Sequence, residues 1–447
     1  MKKISILGAG ESGIGAALLA QAKGYEVFVS DKGTIAASRK AVLAEHEIDF
    51  EEGHHTLERI VEAAEVIKSP GIPYSSEVVK EILAQNIPLI DELEFAFRYS
   101  QGRTIAITGT NGKTTTTLLT YHLLKKVGID VGMAGNVGDS WAAQLVDGDH
   151  AWWVLEVSSF QIDGFKKLRP HVAIVTNITP DHLDRYSYSL DNYIQSKMNL
   201  LANMGKEDHL IIYREDQNIH SGMARVSALP KVHEISLEER VENGGYYNQR
   251  EIELTIVEGS FTMSKDEMAL KGDHNMINAM CAASAALIAG ADPRAVREGL
   301  RDFKNAAHRM ERVEEIGGVV FINDSKGTNV DATAYALAAF EEPLIWIAGG
   351  VDKGNDYAQL YPMVTEHVKT LICLGKDNDK LKAAFKDRIA DIVETQEMGE
   401  AVRLAQERAK AGDLVLLSPA CASFDLFRNY EDRGDQFKEA VRKLKRG

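Results

Sequence analysis

The chain has 447 residues, of which 45% are hydrophobic and 26% charged, with a formal net charge of −15. That length suits about three domains of ordinary size, and the composition is that of a soluble globular protein. The negative balance excludes nucleic acid as a partner, since a polyanion needs a broad basic face, and no run approaches the ~20 apolar residues that cross a bilayer.

Cys281, Cys373 and Cys421 are far apart, with no Cys-x-x-Cys, so a disulfide framework and a cysteine zinc site are not expected. The opening MKKISILGAG passes from two lysines through a few apolar residues straight into glycines. It reads as a first strand rather than a signal peptide, and the protein is expected to be cytoplasmic.

Residues 1–92 alternate strands and helices, with strands over 3–7, 26–30, 65–68 and 87–90. The first strand runs into Gly8-Ala9-Gly10-Glu11-Ser12-Gly13, and Asp31 closes the second. This spacing suits a dinucleotide, with pyrophosphate on a helix N-terminus and Asp31 on a ribose. Any nucleotide diphosphate presenting its pyrophosphate fits equally, so an NAD-dependent oxidoreductase is one reading among several. Ser69-Pro70-Gly71, after the third strand, offers a second backbone approach at the same sheet edge.

Residues 93–303 begin with the most informative segment. A strand over 104–108 runs into Gly109-Thr110-Asn111-Gly112, and Lys113-Thr114-Thr115 opens a helix. Glycines let backbone N–H groups wrap phosphate oxygens, the helix end adds its dipole, Lys113 neutralises charge and Thr114 suits Mg²⁺. The loop departs from the usual P-loop pattern, which has glycine where this chain has Ile107. Strands follow over 152–155 and 172–177. Glu156 and Asp181-His182 lie at their ends, where a carboxylate and an imidazole could complete a Mg²⁺ shell; a solvated end residue and a structural histidine are the plain alternatives. Asp184-Arg185 suggests a local ion pair, and Lys197 falls in a helical run where a solvated face is the default. Small antiparallel strands are expected between 231 and 271. An alanine-rich helix follows over 275–289, with Asn275 and Asn278 on one face.

Residues 304–447 form a third α/β unit with strands over 319–324, 344–350, 370–375 and 413–419. Arg309 stands near its start, where it could reach a phosphate. Polar loops leave three strand ends: Asp324 to Asn329, Gly349 to Gly354 and Ser418 to Ser423. Three such loops at one sheet edge converge on a site by the switch-point rule.

The order of ITGTNGKTTT, EVSSFQ, NITPDHLDRY, KGDHNMINAM, HRME, NDSKGTN, GGVDKG and SPACASFDLFRNYEDRG along the whole chain resembles the Mur ligases. The Asp-Asn-Pro-Arg element of the diaminopimelate-adding member is absent, and the folylpolyglutamate synthases share the GTNGKT core but are not expected to carry an N-terminal glycine-turn nucleotide domain. The resemblance implies three domains: N-terminal Rossmann-like, central P-loop ATPase-like with a parallel sheet, and C-terminal Rossmann-like α/β. It implies a monomeric enzyme that uses ATP and Mg²⁺ to join D-glutamate to UDP-N-acetylmuramoyl-L-alanine. Ser12, Asp31, Ser69, Pro70, Gly71 and Asn136 would hold the UDP-substrate. Gly109, Thr110, Asn111, Gly112, Lys113, Thr114, Thr115, Asn275, Asn278, Arg309 and Asp324 would hold ATP. Thr114, Glu156, His182 and Lys197 would be metal ligands, with Lys197 carbamylated, as in this family. Lys113, His182, Lys197 and Lys326 would act in catalysis, and Thr328, Lys353, Ser423 and Tyr430 would face D-glutamate. Tyr430 departs from the family pattern, which has phenylalanine there.

Overall fold

In the computed structural model, which describes residues 2–256, 260–352 and 354–446, twenty strands form three α/β sheets. The first contains β1 (Lys3–Leu7), β2 (Glu26–Asp31), β3 (Asp49–Glu52), β4 (Glu65–Lys68) and β5 (Leu89–Ile90), in the all-parallel order β3-β2-β1-β4-β5. The order reverses at β1, so the crevice of a doubly wound sheet opens between the loops after β1 and β4.

The second sheet has nine strands: β6 (Arg103–Thr108), β7 (Val131–Gly135), β8 (Trp152–Glu156), β9 (Val172–Val175), β10 (His209–Tyr213), β11 (Lys231–Ser236), β12 (Gly244–Tyr247), β13 (Glu251–Thr255) and β14 (Ser260–Ser264). Their order is β14-β13-β12-β11-β10-β9-β6-β8-β7. Strand β6 lies between β8 and β9, parallel to both, and every residue of β8 and β9 is buried, as befits a sheet covered on both faces. Its antiparallel pairs are β12 with β13 and β13 with β14. Strands β11 and β12 extend the parallel sheet, which corrects the expectation of a wholly antiparallel tail from residue 231.

The third sheet joins β15 (Glu311–Ile316), β16 (Val319–Asn323), β17 (Leu344–Ala348), β18 (Val368–Leu374), β19 (Asp391–Thr395) and β20 (Leu414–Leu417), in the order β15-β16-β20-β17-β18-β19. All pairs are parallel except β15 with β16. Among the described residues, no helix is long and apolar enough to cross a membrane.

The chain forms two compact units. One comprises residues up to 269 together with 276–303, and the other comprises 270–275 together with 304 onward. Within the first, a run of buried carboxylates ties the first two sheets together. Asp91 caps the helix Glu92–Phe97 by accepting the Leu93 N–H at 3.0 Å. Glu94 Oε2 accepts the backbone N–H groups of Lys166, Lys167 and Leu168 at 2.8–3.0 Å. Glu92 Oε1 accepts the Ser140 hydroxyl and the Ala142 N–H. Such convergent donors compensate part of the desolvation of a carboxylate.

Burial still dominates at Glu92 and pushes its carboxyl up to about 7, against hydrogen bonds from Ala142 and Ser140 that pull it down. A folded-state value raised above 4.5 means that the folded protein holds the proton longer. Stability from this group is therefore full below pH 4.5 and is lost as pH rises to about 7. Glu92→Gln keeps the acceptor and removes the titration. Relative to wild type it should gain on the order of 3 kcal/mol between pH 4 and pH 8 in urea unfolding. A difference constant across that range would contradict this account.

Candidate active site

The loop between β6 and the helix Lys113–Lys126 is shaped by two glycines with positive φ, Gly109 and Gly112. At Gly112, φ is +83° and a Cβ would stand 2.4 Å from Asn278 Oδ1, so both the backbone conformation and the neighbouring helix require glycine. The end of β9 holds the loop's far side. Asn177 accepts the Thr110 N–H on its carbonyl and the Asn111 N–H on its side chain, and its own amide donates to Asn111 O at 3.0 Å. The Thr110 hydroxyl donates to Thr179 O and accepts the Thr179 N–H, both at 2.9 Å.

Two lysines converge on one carbonyl of this loop. Lys113 Nζ donates to Gly109 O and Thr110 O at 2.8 Å, and Lys197 Nζ donates to the same Gly109 O at 2.8 Å. Lys197, on the helix Leu190–Met198, is 1% exposed and lies 4.6 Å from the Tyr193 ring centroid. The default solvated face is thus corrected: the lysine points inward because its helix packs that face on the core. Burial first, and the Lys113 charge second, press its amine well below the usual lysine range.

Glu156 ends β8 in register with Ile107 of β6, beside the loop. One of its oxygens accepts the Asn136 side-chain amide at 2.8 Å, while the other, Oε2, is buried without a hydrogen-bond partner. An orphaned buried carboxylate oxygen is a donor that suits Mg²⁺, and Thr114, also buried, opens the helix that follows the loop. Among the described residues, no three or more His, Cys, Asp and Glu side chains gather into a metal cluster. A hard cation shared with phosphate oxygens needs none. His182 has φ 51° at the turn before Leu183–Tyr186 and stands edge-on to Phe160 at 5.3 Å. Arg185 stacks on Phe160 at 4.3 Å and donates to Pro70 O, in place of the expected pairing with Asp184. The Thr116 hydroxyl donates to Asn278 Oδ1 at 3.2 Å, which puts Asn278 on the loop's helix. Asn275, in the same helix (Asp273–Ile288), belongs to the second compact unit, where its amide donates to Lys271 O.

On the first sheet, a cavity of about 900 Å³ is lined by Gly8, Gly10, Asp31, Ser69, Gly71 and His55, among others. Asp31 holds the glycine turn, accepting Ala9 N–H and Gly33 N–H at 2.7 Å. Ser69 donates to Gly8 O at 3.3 Å, so the loops after β1 and β4 meet across the switch point. Ser12 lies in the first turn of the helix Glu11–Ala22. Asn136, by contrast, sits on Glu156. His55 is a lining residue that the sequence did not single out. Its Nδ1 is 2.7 Å from Ser30 Oγ, which itself bonds to Glu51.

In the second unit, three strand-end loops share one buried cation. Arg433 is 1% exposed, and its guanidinium donates to Ser325 Oγ, Ser325 O and Cys421 O at 2.9–3.2 Å and to Gly349 O at 3.4 Å. In sequence the arginine stood out only as part of the EDRG motif, with no role of its own. Asp324 accepts the Ser418 hydroxyl and the Met310 N–H, and burial, opposed by Arg309, raises its carboxyl to about 6. Arg309 Nε is itself buried without a hydrogen-bond partner. Lys326 stands 5.3 Å from the Tyr430 ring centroid, and the Tyr430 carbonyl accepts the Ser325 hydroxyl. Carbonyl and ring face are both available to phenylalanine, so the departure at 430 leaves these contacts intact. Thr328 follows Lys326 in the same loop, and Ser423 is buried in the loop after β20. Lys353 lies outside the described residues.

Residues 3–78 match the MurD N-terminal domain, 107–286 the Mur ligase middle domain, and 308–421 the Mur ligase glutamate ligase domain. Over 99% of this chain and all of theirs, 49% of residues are identical to a UDP-N-acetylmuramoylalanine–D-glutamate ligase of Christiangramia forsetii. The ligase of that name from Porphyromonas gingivalis strain ATCC 33277 is 48% identical over 99% of this chain and 98% of its own. Among solved structures, the UDP-N-acetylmuramate-alanine ligase MurC of Thermotoga maritima shares the fold at a TM-score of 0.63 and 17% identity, over 99% of this chain and all of that one. The chain therefore belongs to the Mur ligase family, in the branch marked by the MurD N-terminal domain.

Proposed function

We propose that the protein is an ATP-dependent amide ligase that joins D-glutamate to UDP-N-acetylmuramoyl-L-alanine, a step of peptidoglycan precursor synthesis, through an acyl phosphate. The observation that carries this reading is the convergence of Lys113 and Lys197 on Gly109 O beside the orphaned Glu156 oxygen. The substrate's carboxylate must approach a triphosphate, and two anions meet only where positive charge screens them: Lys113 and the helix N-terminus supply it, and Glu156 and Lys197 would hold a cation that adds to it.

The roles are those that the family resemblance implies. Residues Gly109–Thr115 cradle the ATP phosphates, with Lys113 exchanging loop carbonyls for phosphate oxygens. Asn278, Asn275, Arg309 and Asp324 serve the rest of the nucleotide. Thr114, Glu156, His182 and Lys197 hold Mg²⁺, which when bound screens the phosphates and draws charge from the transferring phosphoryl group. The cavity of the first sheet takes UDP through Ser12, Asp31 and Ser69 to Gly71, and Asn136 orients the substrate beside Glu156. Lys326, Thr328, Lys353, Ser423 and Tyr430 receive D-glutamate, with Lys326 at the phosphoryl group.

Lys197 gains a carboxylate by carbamylation. Its neutral amine attacks CO₂, the N–C bond forms, and a proton leaves to water. Burial and the neighbouring Lys113 favour a neutral amine, and the product's negative charge would be attracted to the Lys113 ammonium.

Phosphate release from ATP should require both UDP-N-acetylmuramoyl-L-alanine and D-glutamate. Lys113→Ala should lower that turnover by about a thousandfold or more, while the UDP-substrate still raises the melting temperature. Near-normal turnover in this variant would remove the ATP loop from the mechanism. Lys197→Ala should lose activity and recover part of it with a short-chain carboxylic acid. Intact mass spectra of active enzyme showing only unmodified Lys197 would refute the carbamate.

A further inference from the structure

The turn after β4 is supported from beneath by a residue with no role in the reading above. Lys68, the last residue of β4, is 2% exposed, and its Nζ donates to Ser69 O at 3.0 Å and Ile72 O at 2.9 Å. Its ammonium stands 5.1 Å from the Tyr74 ring centroid, and Tyr74 donates its hydroxyl to Asp163 O at 3.2 Å. Arg185 donates to Pro70 O in the same turn. Three carbonyl oxygens of the Ser69–Ile72 segment are thus committed to buried or stacked cations.

A carbonyl dipole turned toward a buried ammonium is turned away from whatever occupies the cavity that Ser69, Gly71 and Ile72 line. An anionic ligand meeting this turn is spared the repulsion of those oxygens and feels a positive charge in a low-dielectric setting. We propose that Lys68 is a positioning residue for the UDP-substrate, holding the Ser69–Ile72 turn with its carbonyls inward so that the cavity accepts a nucleoside diphosphate. The inference rests on the ligase reading for the identity of that substrate.

Other features agree. The turn has its own closing bond, Ile72 N–H to Ser69 O at 3.1 Å, and is latched to the first glycine loop by the Ser69 hydroxyl on Gly8 O. Neither bond orients the Ile72 carbonyl, which is Lys68's contribution. Burial presses the Lys68 ammonium down to about 8, and Asp91 opposes that fall. At neutral pH the cation persists, and the strand end can carry it without a direct carboxylate partner.

The test is a kinetic split. Lys68→Met keeps a stem of similar length without the charge, and Lys68→Gln offers a neutral donor if the methionine variant does not fold. Loss of two charge-assisted hydrogen bonds to the turn should raise KM for UDP-N-acetylmuramoyl-L-alanine by about 10- to 100-fold, with kcat and the KM values for ATP and D-glutamate within about twofold. The melting-temperature shift caused by that substrate should shrink in parallel. An unchanged KM for the UDP-substrate, a loss confined to kcat, or failure of both variants to fold would overturn the inference. The wild-type arm separates the two claims. If wild type releases no phosphate with all three substrates, the ligase reading fails; if it does and the variants match it, only the role of Lys68 fails.

Discussion

The carbonyl of Gly109 is the point on which the central sheet's chemistry turns. It receives two lysine side chains from different helices, one following it by four residues and one from residue 197. Bringing two amines to one oxygen in a buried setting is costly, and burial together with the Lys113 charge presses the Lys197 amine well below the usual lysine range. The loop can adopt this shape only because Gly109 and Gly112 take positive φ and because Asn177 and Thr179 hold Thr110 and Asn111 from the next strand. Nothing in this arrangement depends on an overall positive surface.

The same solution recurs in each sheet. Lys68 holds the carbonyls of the turn after β4, Lys113 and Lys197 hold that of the loop after β6, and Arg433 holds those of three loops at the edge of the third sheet. In each place a basic side chain that is at least partly buried ties up strand-end carbonyls. Buried cations of this kind are expensive unless fully hydrogen-bonded, and backbone oxygens satisfy them without adding negative charge to the loop. Carboxylate partners would have cancelled the potential that an anionic ligand meets.

Much of this was legible in the sequence where local chemistry is dense. The glycine turns, the Gly-Lys-Thr at a strand-to-helix junction, and Glu156 closing an apolar run all stand where the pattern put them. Several strands that escaped notice are at sheet edges, where β3 reads DFEE, β7 VGMAG and β15 ERVEEI, and the apolar β10 (HLIIY), inside the second sheet, was missed as well. Edge strands face water on one side, so their hydrophobic signal is weak. Strands β11 and β12 were misjudged for a different reason. Alternation reveals a half-buried strand, but whether its neighbour runs parallel is decided by the connection, which the pattern does not contain. Lys68 and Arg433 were silent because a lysine at a strand end and an arginine in a first helical turn are, in sequence, ordinary solvated residues.

That silence bears on how an acidic protein handles anionic ligands. With a net charge of −15, long-range attraction opposes the approach of a nucleotide. At an ionic strength of 0.15 M such fields decay over about 8 Å, so recognition is decided by charges inside that radius. Lysines beneath the loops, helix N-termini at their ends and inward carbonyls supply positive potential where a phosphate would sit, and water cannot screen it there as it does at the surface. A surface lysine could give the same formal charge, but it would be hydrated and mobile. The buried placement makes the potential a fixed part of the fold, so the loops are set for their ligands before any ligand arrives.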